Sequence, residues 1–332
     1  MSQRHVSDLK MIPKRAMPND ITLDRIGEMA EKVKNWNRWG PDDEIGTLNF
    51  VTPADVARAA ALASKGKVFS LALEFGSGGP QEGWGGRFNP IHTMLATGTD
   101  AVAGRQDSIK IRYADDMIVM PLQCNTQWDA LGHVFYGDKM WNGYDAALVD
   151  STGANKNGIE KTRDRMVGRG VLLDIPRYLG GDYLEDGYGI GNDDLEGCAR
   201  QQGVEIRRGD FVIVRTGQME HRLALGKWAG YAGGDAPGLR FETNEWIHDK
   251  QIAAICADTW GCEVRPNEST EAQQPWHWVV IPMIGITMGE IFYVKELAED
   301  CAKDGIYEFF FCAPPLPISR GVGSPINPMA IK

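Results

Sequence analysis

The chain has 332 residues, 43% hydrophobic and 24% charged, a balance that excludes disordered and fibrous classes and permits a large buried core. Its formal net charge of -10 argues against nucleic acid as a partner, because displacing counterions needs a basic stripe. No run of about 18 apolar residues occurs, so no bilayer-spanning helix and no membrane partner are expected.

The first twenty residues, which include His5, carry basic side chains with no apolar stretch behind them and do not read as a secretory signal. Six cysteines (Cys124, Cys198, Cys256, Cys262, Cys301 and Cys312) are scattered without a C-x-x-C pair. Reduced thiols and a cytoplasmic location are therefore expected. Residues 21–35 have helical spacing, with Ile21, Leu23, Ile26, Met29, Ala30 and Val33 on or near one side. After a polar, Trp-rich turn, Thr52 is placed as an N-cap, Pro53 fits the first turn, and a helix is predicted to about Ala63. Residues 1–64 are read as an arm and helices packing on a body of residues 65–332.

From residue 66 the pattern changes to short apolar runs separated by glycine. Strands are predicted at 68–75, 116–122, 170–175, 210–216, 252–258, 279–284 and 306–313, with helices at about 193–202, 241–249 and 295–303. Gly305 stands where the last helix should stop. Strands with interspersed helices predict a single α/β domain. The glycine-rich stretches 76–115 and 217–240 are long for connections and are candidate rims of a binding site.

Of the remaining histidines, His221 and His248 sit among charged residues and read as solvated surface, while His92, His133 and His277 lie in apolar or glycine-rich surroundings. The segment from Gln123 to His133 gathers Gln123, Asn125, Thr126, Gln127, Asp129 and His133 directly after an apolar run. Buried polar groups need partners, so this is either a hydrogen-bonded structural knot or a site. If extended, Gln127 and Asp129 share a face, and His133 can return toward them after Gly132. Such an Asp–His pair can activate water. No nucleophile elbow or phosphate-binding glycine loop follows a strand, which weighs against serine-hydrolase and nucleotide chemistry.

The same segment resembles the H-x-G-T-H-x-D-x-P-x-H signature of the cyclase family, which includes bacterial kynurenine formamidase and isatin hydrolase. Thr126, Asp129 and His133 match in register, whereas Gln123 and Gln127 stand at the two leading histidine positions. Later features follow the family order: APGLR, then Asp258-Thr259, then His277 and Glu290 thirteen residues apart across a predicted apolar strand. The resemblance covers roughly residues 65–313.

It implies a swivelling β/β/α fold with a mixed sheet and flanking helices, assembled as a homodimer or homotetramer. It also implies a metal-dependent hydrolase that attacks the carbonyl of a small cyclic or formylated amide, imide or lactone with water. Carried over residue by residue, Asp129, His133 and Glu290 would be catalytic. Gln127, Asp129, His277 and Glu290 would hold a divalent metal, and Gln123, His92, Trp128 and Trp276 would contact substrate. Glutamines in place of imidazoles leave an oxygen-rich donor set that suits manganese better than zinc. Two alternatives stay open: a metal-independent lyase or isomerase using His133 and Glu290, and a non-catalytic ligand-binding protein.

Overall fold

The computed structural model describes residues 6–332, so His5 lies outside the described residues. The first long helix, Leu23–Lys32, is capped by Thr22, whose hydroxyl accepts from the Arg25 amide, and it buries Ile26 and Ala30. Thr52 caps the helix Pro53–Ala60 as expected: its hydroxyl accepts from the Asp55 amide, and the Asp55 carboxylate accepts from the Thr52 amide. A reciprocal cap of this kind satisfies two orphan donors and contributes about 1 kcal/mol. The helices Asn192–Gln202, Thr243–Lys250 and Lys295–Asp304 form where the spacing predicts them. Gly305 takes φ +71° at the end of the last one.

Among the described residues, nine strands make one curled mixed sheet. Its order is Gly323–Pro325, Gln127–Asp129, Thr287–Glu290, Ala254–Ala257, Phe211–Arg215, Val167–Asp174, Glu308–Cys312, Met329–Ile331 and Val68–Ser70. The central strands from Thr287–Glu290 to Val167–Asp174 are parallel to one another, and those on either flank are antiparallel. Both faces are covered, which is why the central strands read as continuous apolar runs. Val171, Leu173, Val212, Val214 and Ile255 pack into a core with the helices Leu23–Lys32, Asn192–Gln202 and Thr243–Lys250. Leu172, Phe211, Ile213 and Cys256 point the other way, toward Leu297 and Cys301 of the last helix. The result is the single α/β domain that the sequence predicts.

Three elements differ from the expectation. Residues 279–284, predicted as a strand, are helical: the short helix His277–Val279 runs into a π-helical turn, Val280–Ile284, which ends at Gly285 with φ +80°. Every residue from Val279 to Ile284 is buried, so the run shows no periodicity by which helix and strand could be told apart. The sheet strand lies just beyond, at Thr287–Glu290. The run at 116–122 does form a strand, Asp115–Val119, but it pairs only with Ile91–Ala96 as a separate two-stranded ribbon. The run at 68–75 contributes only Val68–Ser70 to the sheet.

Candidate active site

The site is built where two strand ends meet. Gln127–Asp129 runs antiparallel to Thr287–Glu290, with Gln127 opposite Glu290 and Asp129 opposite Met288. Side chains alternate along a strand, so Gln127, Asp129 and Glu290 share one face and Trp128 takes the other. The Gln127 amide donates to Glu290 Oε2 at 2.5 Å. The chain then turns, with the His133 amide donating to the Ala130 carbonyl at 3.0 Å. That turn brings the His133 imidazole back, with Nε2 3.6 Å from Asp129 Oδ1. His277 enters from the first turn of its helix, with Nε2 3.8 Å from Glu290 Oε1 and Nδ1 2.6 Å from Glu263 Oε2. Pairwise contacts thus link His133 to Asp129, and Gln127 and His277 to Glu290. Asp129, His277 and Glu290 are buried, whereas His133 keeps 23% of its side chain exposed and is the solvent-facing member.

Charge is distributed unevenly over these groups. Burial would depress the His277 imidazolium, but its hydrogen bonds to Glu263 and Glu290 outweigh that and raise its pKa to about 9. Burial, reinforced by the Asp129 carboxylate, pushes Glu290 upward. His133 is lowered, chiefly by burial, with the positive charges of Arg87 and His277 adding to the effect and Asp129 opposing it. At neutral pH the solvent-facing imidazole is therefore a neutral base, and the deeper one carries charge.

Several expected contacts are not where the sequence reading put them. Trp128 is fully buried on the far face of its strand, its indole N–H donating to the Ala313 carbonyl at 2.7 Å, so it is core and does not line the site. Trp276 is likewise fully buried and donates to Thr243 Oγ1 at 2.9 Å; it packs edge-on against His277, 5.4 Å between ring centroids, with no surface left for substrate. His92 projects from the exposed ribbon and pairs with Asp116 at 2.8 Å, outside the cluster. Gln123 does lie beside it: its backbone carbonyl accepts from Arg87, and a Cβ on Gly323, in the strand paired with Gln127–Asp129, would fall 2.5 Å from its side-chain amide nitrogen. Thr126 and Asp258 act as braces. The Thr126 hydroxyl donates to the Ile291 carbonyl at 2.6 Å, and the Asp258 carboxylate accepts from the amides of Thr216 and Gly217 and from the Thr216 hydroxyl.

Two contributors escaped the sequence reading. Glu263 fixes the His277 ring and accepts from the Trp276 amide at 3.1 Å, yet nothing in its spacing marks it. Arg87 belongs to one of the glycine-rich rims. Its guanidinium lies 5.4 Å from the Trp84 ring centre and 5.3 Å from that of Trp260, and its charge acts on both His133 and Glu290. Of the tryptophans near these segments, Trp84 and Trp260 lie beside Arg87 and meet edge-on at 4.9 Å, Trp260 buried and Trp84 exposed.

Among the described residues no three His, Cys, Asp or Glu side chains come together as a ligand set for a metal ion, so no zinc-type centre is preassembled. The orphaned atoms nonetheless have a common character. Asp129 Oδ1 and Gln127 Oε1 are buried acceptors with no hydrogen-bond partner, and Glu290 is raised in part by Asp129. An under-satisfied, oxygen-rich and anionic cluster fits a hard divalent ion better than zinc.

A family profile described as "Putative cyclase" matches residues 37–264, more than half of the chain. The chain belongs to the cyclase family. A crystal structure described as a novel cyclase is 41% identical, covers 91% of this chain and 99% of its own, and superposes with a TM-score of 0.83. Isatin hydrolase A from Ralstonia solanacearum shares the fold at 17% identity, with coverage of 84% and 97% and a TM-score of 0.60. A predicted metal-dependent hydrolase from Bacillus stearothermophilus shares it at 18% identity, with coverage of 80% and 97% and a TM-score of 0.50. No curated protein matches the chain in sequence. Within the cyclase family this member carries amides at positions 123 and 127, where the signature has imidazoles.

Proposed function

We propose that this cyclase-family protein is a hydrolase that adds water to the carbonyl carbon of a small cyclic or formylated amide, imide or lactone. The observation that carries the reading is the His133–Asp129 pair: a partly exposed imidazole 3.6 Å from a buried carboxylate. His133 takes a proton from water as the oxygen attacks, and Asp129 stabilises the imidazolium that forms. The carbonyl becomes a tetrahedral oxyanion beside Arg87, whose planar cation rests against Trp84 and Trp260. The C–N or C–O bond then breaks, and His133 returns its proton to the leaving nitrogen or oxygen, giving a carboxylate together with an amine (from an amide), an amide (from an imide) or an alcohol (from a lactone).

A divalent ion bound by Asp129, Gln127 and Glu290 would lower the pKa of its water toward about 7 and polarise the substrate carbonyl. The named names of the two remote fold neighbours, an isatin hydrolase and a metal-dependent hydrolase, agree in reaction class with this reading. The test is a panel of cyclic amides, imides, formamides and lactones turned over by wild type, Asp129→Asn and His133→Ala. Each variant is expected to lose about 10²–10⁴-fold in kcat/KM with its fold retained. Full activity in either variant removes the assignment.

A further inference from the structure

The loop that follows the strand Ala254–Ala257 supplies more than Glu263 to the site. Its Gly261 reaches the cluster, since a Cβ there would fall 3.8 Å from Glu290 Oε1. Arg265, four residues on, is half-buried, and two backbone hydrogen bonds of 2.9 Å tie it to Ala236 in the second glycine-rich stretch. The two glycine-rich stretches meet at this place as well: a Cβ on Gly233 would fall 2.9 Å from Trp84. The Arg265 guanidinium lies 5.7 Å from the Trp260 ring centre, and that of Arg87 lies 5.3 Å from the same ring. Two cations from distant parts of the chain thus share one indole.

Neither cation has a carboxylate partner among the described residues, although the chain holds 45 Asp and Glu and carries a net charge of -10. The more deeply placed arginines Arg169, Arg215, Arg222 and Arg240 are each paired. Arg87 gives one hydrogen bond, to the Gln123 backbone carbonyl, and the Arg265 guanidinium gives none. The indole N–H of Trp260, in a residue only 4% exposed, also lacks an acceptor. A guanidinium and an indole N–H can only donate, so all three call for an acceptor, and the charges call for an anion. On the far side of Gly261 the orphan is of the opposite kind, the buried acceptor Asp129 Oδ1. We propose that Arg265, beside the Trp260 N–H, binds a carboxylate of the substrate, so that the compound hydrolysed is an acid: a formamide, cyclic amide or lactone that already carries a carboxylate. This rests on the hydrolase reading above. Arg87 then faces the carbonyl under attack, and Arg265 holds the fixed anion a few bonds farther along, which sets specificity through binding.

The test uses matched pairs: formanilide with the formamidobenzoates, hydantoin with carboxymethylhydantoin, and γ-butyrolactone with its carboxylate. For at least one pair, wild type is expected to favour the acid by at least about tenfold in kcat/KM, mainly through KM, with the preference shrinking as salt is raised. In Arg265→Gln that ratio should fall to near unity, and in Arg265→Lys it should fall only in part. Calorimetric titration of the same acids and of their carboxamide counterparts reads the subsite without turnover: wild type should bind the best acid at least about tenfold more tightly than its carboxamide, and Arg265→Gln should not. Neutral members processed and bound as well as the acids overturn the proposal. So does a preference for acids that survives Arg265→Gln. The wild-type comparison needs no variant, and the titration needs no catalysis. A protein that turns over the neutral members alone therefore sinks this inference and keeps the hydrolase, whereas one that binds acids through Arg265 and hydrolyses nothing sinks the hydrolase and keeps the subsite.

Discussion

Gln127 and Glu290 face each other across an antiparallel strand pair, and the amide of one donates to the carboxylate of the other at 2.5 Å. This contact brings no charge to the buried carboxylate, so the anionic character of the cluster is left to His277, Arg87 and any bound cation to balance. The position is also where the family signature places an imidazole. The electrostatic character of the site therefore turns on this residue.

Restoring the imidazoles tests that view. The double variant Gln123→His/Gln127→His should bind zinc stoichiometrically after chelator treatment and dialysis, whereas wild type under the same conditions should retain much less. Elemental analysis of the two proteins decides it. Equal zinc content would mean that positions 123 and 127 do not face a common ion.

Arg87 is expected to contribute through charge and planarity together. Arg87→Ala should lower kcat/KM by about 10²-fold, and Arg87→Lys should recover only part of the loss, because a lysine lacks the planar guanidinium that rests against both Trp84 and Trp260. Steady-state kinetics on the best substrate of the panel, with melting curves to confirm the fold, provide the check. Full recovery by lysine would reduce Arg87 to a point charge.

Trp128 provides a test of the strand's orientation. Buried among Phe292 and Phe311 on the far face, it should affect stability and leave binding alone. Trp128→Phe removes the hydrogen bond to Ala313 and some volume, at a cost of about 1–3 kcal/mol, with KM unchanged. Urea melts and KM measured on the same preparation separate the outcomes; a raised KM at normal stability would return Trp128 to the pocket.

Asp258 should give stability a pH dependence. Burial raises its carboxyl to about 6, against hydrogen bonds from Thr216 and the charge of Arg215, which lower it. A carboxyl raised on folding binds its proton more tightly in the folded state. Its contribution to stability therefore grows as pH falls through about 6 toward the unfolded value near 4, and shrinks as pH rises through the same window. The stability of wild type relative to Asp258→Asn, from denaturant melts at several pH values, should increase on acidification between pH about 7 and about 4. A difference that stays flat or falls would mean that the hydrogen bonds outweigh burial.

Local pattern carried much of the fold. Thr52, Pro53 and Asp55 define a helix start by themselves, because capping is settled within one turn. The runs at 170–175, 210–216 and 252–258 read as central strands because a parallel sheet covered on both faces leaves no polar side to alternate with. The run at 279–284 misled for the same reason: a helix buried all round loses its period as well. The residues at the site were legible only as types in an order, Asp129 and His133 within one motif and His277 and Glu290 thirteen residues apart.

Sequence alone thus determined the α/β class, the family, and the chemical groups available, since each follows from local spacing or from a motif in register. Only the tertiary structure decided which groups meet. Contacts between residues about 160 positions apart, such as Gln127 with Glu290, depend on strand register, and a shift of one residue would have turned Trp128 inward and Asp129 away. The positions of Glu263, Arg87 and the Ile91–Val119 ribbon were likewise hidden, because burial and long-range pairing are properties of the packed chain.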